Sequence, residues 1–301
     1  MRKSREMQFL WILRLAWLIL PLTTGQTLLA ALDDASSTLR ITAFVLGFIA
    51  WGVGCLALLI PHPIGLTAIR LNAPVVAIGS VVASLVGTQQ AIGYVGLAVG
   101  LAAGVGALSG VVADACVNGV AYGDEKRFTL RAPLSFLLGP VPVFWLLTVG
   151  ALNAGILLIA GGQVLLGLAA VACGSGCSVP ALKAFHALTL RCAVFVPAGM
   201  TLIDHLSFAD PVLLAKRNLA QLGPALQGTA AIDFTQNAPG LRLEGAMKTP
   251  VEIAERIDGS NSELKMVSSL LFVPTRPGAV LQEAAIRGFG SLASHSTASQ
   301  S

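Results

Sequence analysis

Charge is what this chain has least of. Only 11% of its 301 residues are Asp, Glu, Lys or Arg, against roughly 25% in an ordinary soluble domain. Aromatic residues reach only 6%, whereas 55% are hydrophobic and mean hydropathy is +0.78. A water-soluble fold cannot hide so much apolar surface, so a large part of the chain must face lipid or other membrane helices. The net charge of +4 is modest and fits cytoplasmic loops of a membrane protein, not a nucleic-acid partner. Five cysteines, an odd number partly set in apolar runs, exclude a disulfide framework. Cys173 and Cys177, four apart in ACGSGC, fall on one helix face with no His or acid nearby, and read as small packing residues. Signature motifs are missing as well. There is no GxxxxGK[ST], no GxSxG, no HExxH and no two-aspartate motif of lipid phosphotransferases. No cofactor and no metal is implied.

Against these absences stand six apolar runs near the ~20 residues needed to cross ~30 Å of hydrocarbon. They cover about 9–32, 41–60, 71–87, 91–113, 137–159 and 162–182. Pro61-His62-Pro63 ends the second run, since proline cannot continue a helix. The sixth is interrupted in sequence by Gly174-Ser175-Gly176 and Pro180. The first run exceeds the 7–15 residues of a signal-peptide core, so it reads as a helix retained in the protein.

The basic residues fix an orientation. Arg2, Lys3, Arg5, Arg70, Lys126, Arg127 and Arg131, with ten more beyond residue 182, fall in segments on one side. The other side holds only Arg40, beside Asp33 and Asp34, and uncharged turns near Thr88-Gln89-Gln90 and Gly161-Gly162-Gln163. Arg14 lies close enough to the end of the first run to snorkel. The expectation is a multi-pass protein of the plasma membrane with both termini cytoplasmic.

In the fourth run Gly96, Gly100 and Gly104 recur every four residues and make a flat strip for close helix packing. The loop 114–131 is the most polar stretch beside the membrane. Asp114, Asp124 and Glu125 are its candidate catalytic groups, since carboxylates beside basic residues can hold a metal and a phosphorylated headgroup. They lack the helical spacing that aims several carboxylates at one ion, so the loop reads first as a solvated connector. Arg70, Lys126 and Arg127 are candidate contacts for lipid headgroups, with Arg70 placed where the third span begins. His186 and His205 read as ordinary histidines.

Beyond residue 183 the pattern changes. Arg191–Pro197 and Met200–Asp204 read as strands joined at Pro197-Ala198-Gly199; Pro211–Ala215, Leu241–Met247 and Ser268–Val273 are further strands. Pro277–Phe289 reads as a helix capped by Thr275, and residues 291–301 as a disordered tail. The expected fold is a helical membrane bundle (1–183) followed by a small β-rich soluble domain (184–290) closed by a helix. That order of elements resembles the pleckstrin-homology-like domains of bacterial membrane proteins. Tyr122-Gly-Asp-Glu-Lys-Arg127, Val194-Phe-Val-Pro-Ala-Gly199 and Phe208-Ala-Asp-Pro211 are similar to stretches in a family of actinobacterial multi-span membrane proteins of unknown function. The resemblance implies the same two-part architecture and supplies no activity. The expected function is a membrane-anchored binding or scaffold module whose partners are the bilayer and a protein or lipid headgroup. The alternatives are a membrane-bound enzyme using the loop 114–131 and a transporter.

Overall fold

The computed structural model describes residues 2–86, 91–258 and 261–289. The expected turn at Thr88-Gln89-Gln90 and tail 291–301 lie outside the described residues. The chain forms a helical half and a β-rich half ending in a helix, and divides into two compact units. One is Met1–Gly119 with Pro140–His186; the other is Val120–Gly139 with Ala187–Ser301. The boundary therefore differs from the expected one, because residues 120–139 belong with the β-rich unit.

The helical unit begins with α1 (Arg2–Leu18), a 3-10 turn (Leu20–Leu22) and α2 (Thr24–Ala31), which bend by 43°. Pro21 lies in that turn and lacks the N–H that would carry the helix through. Then come α3 (Ser37–Leu59), α4 (Pro63–Val86), α5 (Ala91–Ala107) and α6 (Gly110–Asn118). Ser109 caps α6 by accepting from Val112 N–H, and α5 and α6 bend by 50° across this restart. The short α7 (Leu134–Leu138) and α8 (Pro140–Trp145) lead through a π-helical turn (Leu146–Gly150) into α9 (Ala151–Ala160), and α10 runs from Val164 to Thr189. Among the described residues four helical stretches are long and apolar enough to cross a membrane, and up to six if each bent pair is one span. The expected weak point, Gly174-Ser175-Gly176, lies inside the unbroken α10, and the breaks fall in the first and fourth runs instead. A protein-lined neighbour can satisfy a glycine-rich helix, and Gly174 indeed packs on Leu152.

In the β-rich unit β1 (Lys126–Thr129), β2 (Cys192–Val196), β3 (Gly199–Ile203) and β4 (Val212–Ala215) form an antiparallel sheet in that order. A second sheet has the order β5 (Leu219–Pro224), β7 (Leu243–Asp258), β8 (Asn261–Phe272), β6 (Ile232–Asp233). Both sheets share one core, with Phe195, Met200, Leu202 and Leu214 from the first and Leu222, Leu243, Ile253 and Leu270 from the second. The final helix α11 (Pro277–Ile286) adds Val280 and Ala284 to it. Thr275 does not cap this helix; its hydroxyl bonds Thr129 at 2.8 Å, and its N–H bonds the Thr129 carbonyl. β1 is hydrogen-bonded to β2, and the two apolar stretches Leu134–Ala160 and Val164–Thr189 lie between them in the chain.

Candidate functional site

The three carboxylates singled out from sequence belong to two different units. Asp114 is buried on α6 in the helical unit, whereas Asp124 and Glu125 belong to the β-rich unit. Glu125 accepts from Arg127 Nη2 at 2.8 Å and Nε at 3.3 Å, and from the Tyr122 N–H at 3.4 Å. These donors, Arg127 foremost, hold its carboxyl below the usual range. Among the described residues no group of three His, Cys, Asp or Glu side chains could hold a metal ion.

Arg70 is also displaced from its expected position. The helix starts at Pro63, so Arg70 lies two turns inside α4, not at its beginning. Lys126 and Arg127 are on β1, paired in register with Phe195 and Val194. The segment expected to be a solvated connector is thus partly an edge strand, with Phe128 buried in the shared core.

A different set of cations is brought together by the fold. The turn between β4 and β5 presents Lys216 and Arg217, both exposed. Asn218 ties this turn to β7: its Nδ2 donates to the Thr249 carbonyl at 2.9 Å, and its Oδ1 accepts from Thr249 N–H and Oγ1. Lys248 then lies beside the turn, its Nζ donating to the Arg217 carbonyl at 3.1 Å. From the other side the end of α11 supplies Arg287, whose carbonyl accepts Lys216 Nζ at 2.6 Å. Arg287 donates to Glu283 Oε1 at 2.7 Å and to the Asp124 carbonyl at 2.5 Å, and its guanidinium stands over the Phe195 ring. Lys216 in turn stands over Phe289. Three exposed lysine or arginine side chains and one half-buried arginine meet here, and Glu283 is the one carboxylate that pairs with any of them among the described residues. Such a surface attracts anions with several acceptor oxygens, phosphate above all.

Sequence reading missed this cluster because its members come from positions 216, 217, 248 and 287, which no local pattern connects. The available signal was Lys216-Arg217 followed by Asn, a residue that favours turns.

Behind the surface lies a buried ion pair. Arg191 Nε and Nη2 each donate to Asp204 at 2.7 Å, and both side chains are 3% exposed. Further partners surround it: Arg191 Nη1 donates to the Arg131 carbonyl, and Asp204 accepts from Leu206 N–H and Ser207 Oγ. Such added hydrogen bonds are what make a buried charge pair tolerable, and this one joins residues 131, 191 and 204 into one frame.

No family model, curated protein or solved structure matches the chain.

Proposed function

We propose that the chain is a membrane-anchored binding module of the plasma membrane, with both termini cytoplasmic, whose β-rich unit docks an anionic lipid headgroup. The observation that carries this reading is the cation cluster of Lys216, Arg217, Lys248 and Arg287. The pairing of β1 with β2 supports two crossings between them, and the basic side of the membrane is then the side of the β-rich unit. Two four-stranded sheets followed by a helix support the likeness to pleckstrin-homology-like domains.

The test uses the full-length protein in mild detergent, titrated with short-chain phosphatidylglycerol and, in parallel, short-chain phosphatidylcholine. The anionic lipid should bind more tightly. Each cation near an anionic surface contributes about 1 kcal/mol, so the Lys216→Gln, Arg217→Gln double variant should weaken binding on the order of tenfold or more. Equal binding of the two lipids, or a double variant that binds like the parent, would overturn the reading.

A further inference from the structure

The helical unit contains a cleft of about 630 Å³ walled by α3, α4, α9 and α10. This lies within the ~300–1,000 Å³ of ordinary ligand sites. Apolar side chains such as Leu46, Val75 and Leu152 make up most of its lining, and no Asp, Glu, Lys or Arg contributes. Four polar side chains interrupt the apolar wall: Thr67 and His186, which bond each other at 2.9 Å, and two asparagines, Asn72 and Asn153. Polar groups in membrane spans mark functional positions more often than chance, because hydrocarbon offers them no partner.

The chemistry of those asparagines is fixed by their neighbours. Asn72, on α4, is 9% exposed, and its Nδ2 donates to the Ala50 carbonyl at 2.6 Å. A carbonyl can only accept, so the amide nitrogen must point at Ala50 and the amide oxygen is left over. Asn153, on α9, similarly donates from Nδ2 to the Val149 carbonyl at 2.8 Å. No donor among the described residues reaches either amide oxygen, and neither oxygen is sealed from the cleft. Two walls of one apolar space therefore each present an acceptor.

Backbone irregularities shape the same place. The π-helical turn Leu146–Gly150 inserts an extra residue ahead of α9 and carries Val149 into the lining. On the facing helix Pro74 has no N–H to give the Arg70 carbonyl, and the adjacent Leu71 carbonyl accepts Trp145 Nε1 at 2.8 Å.

We propose that this cleft binds a neutral long-chain alcohol from the bilayer, its one O–H donating to the amide oxygen of Asn153. The walls are membrane spans, so what reaches the cleft is dissolved in hydrocarbon. Acceptors call for a donor on the ligand, and the absence of any carboxylate in the lining disfavours an ammonium. An alkyl chain fills the remaining apolar volume.

The full-length protein in phosphatidylcholine bilayers is photolabelled with a diazirine-bearing hexadecanol and, separately, with its methyl ether of equal length. Labelled peptides are mapped by mass spectrometry. The alcohol should label peptides of the cleft about fivefold more than the ether, the worth of one neutral hydrogen bond. Asn153→Leu should bring that ratio to about one while leaving the fold intact, because its amide N–H serves only its own helix. Equal labelling by alcohol and ether in the parent, or a ratio unchanged by Asn153→Leu, overturns the proposal.

Discussion

The two units solve the same packing problem with opposite materials. In the helical unit, close contact is made by the smallest residues. A Cβ on Gly100 would stand 2.5 Å from Ser80 Cβ, and one on Gly104 would stand 3.0 Å from both the Ala73 carbonyl and Ala77. Gly155 on α9 and Gly167 on α10 face each other in the same way, since a Cβ added to either would stand within 3 Å of the other's carbonyl oxygen. In the β-rich unit the core is made of large side chains, with Phe128, Phe195 and Phe289 packed edge to face at 5.8 and 5.4 Å. Lipid offers no hydrophobic drive between helices, so backbones must approach until dispersion favours protein over lipid. Water does offer that drive, and there apolar area decides. Polar side chains of the helical unit bond mostly to backbone carbonyls, Thr148, Asn153 and Ser178 on their own helices and Asn72 on α3, whereas in the β-rich unit Arg191 and Asp204 pair as ions.

The sharpest break in this comparison removes one strand. A fragment of residues 187–289 lacks β1, hence Phe128 and Leu130, which are 3% and 6% exposed, and the Arg131 carbonyl that completes Arg191. Burial of the two side chains alone is worth ~3–6 kcal/mol, comparable to the ~5–15 kcal/mol that holds a whole domain. The fragment should be unfolded by circular dichroism, and the same fragment with residues 120–133 joined to its N-terminus by a flexible linker should fold. A folded fragment without β1 would show that the strand is an ornament of the unit.

A smaller effect tests the helical unit. Gly100→Leu should lower the detergent melting temperature by overpacking worth ~1–3 kcal/mol. Gly79→Leu on α4, where nothing lies within 4 Å of the added Cβ, should change little. Gly119 would be a poor control, because a Cβ there meets the Pro61 carbonyl oxygen. Equal losses for Gly100→Leu and Gly79→Leu would mean that close approach does not set this unit's stability.

The division between these materials was legible in sequence, but not its seams. Hydropathy is summed over about twenty residues, so the spans survive local irregularity, and the helical half followed by a β-rich half ending in a helix was readable from residues 9–32 through 277–289. Alternation made β2, β3 and β4 visible. It failed at β7, expected to end at Met247 but running to Asp258, because Pro250 reads as a strand breaker. The structure places Pro250 within a register shift between Ala246 and Val251, where the ladder needs no donor. β1 was hidden because its partner β2 lies 63 positions on in the register Thr129↔Cys192, and a four-residue strand has no periodicity of its own. The cation cluster was illegible for the same reason: tertiary contact, not spacing, unites positions 216, 248 and 287.

The smallest expected effect follows from charge, which is sparse in the spans and denser in the β-rich unit. Arg127 and the Tyr122 N–H hold the Glu125 carboxyl below its usual value, so the folded state binds a proton there less readily than the unfolded chain. A group depressed in this way stabilises the fold above its unfolded pKa of about 4.3 and loses that contribution as pH falls through the lower folded value. Its side chain is 28% exposed and solvent screens the pair, so the contribution at neutral pH is below about 1 kcal/mol. Glu125→Gln should therefore speed amide exchange at β1 modestly at pH 7, with the difference from the parent shrinking once pH drops below about 4.3. High salt should shrink the difference at pH 7 too, since exposed charges are screened over about 3 Å at 1 M. Hydrogen–deuterium exchange mass spectrometry of the full-length protein reads this strand directly, after correction for the intrinsic pH dependence of exchange. A difference that persists undiminished at pH 3 would assign the effect to the shape of the turn at Tyr122–Glu125 and not to its charge.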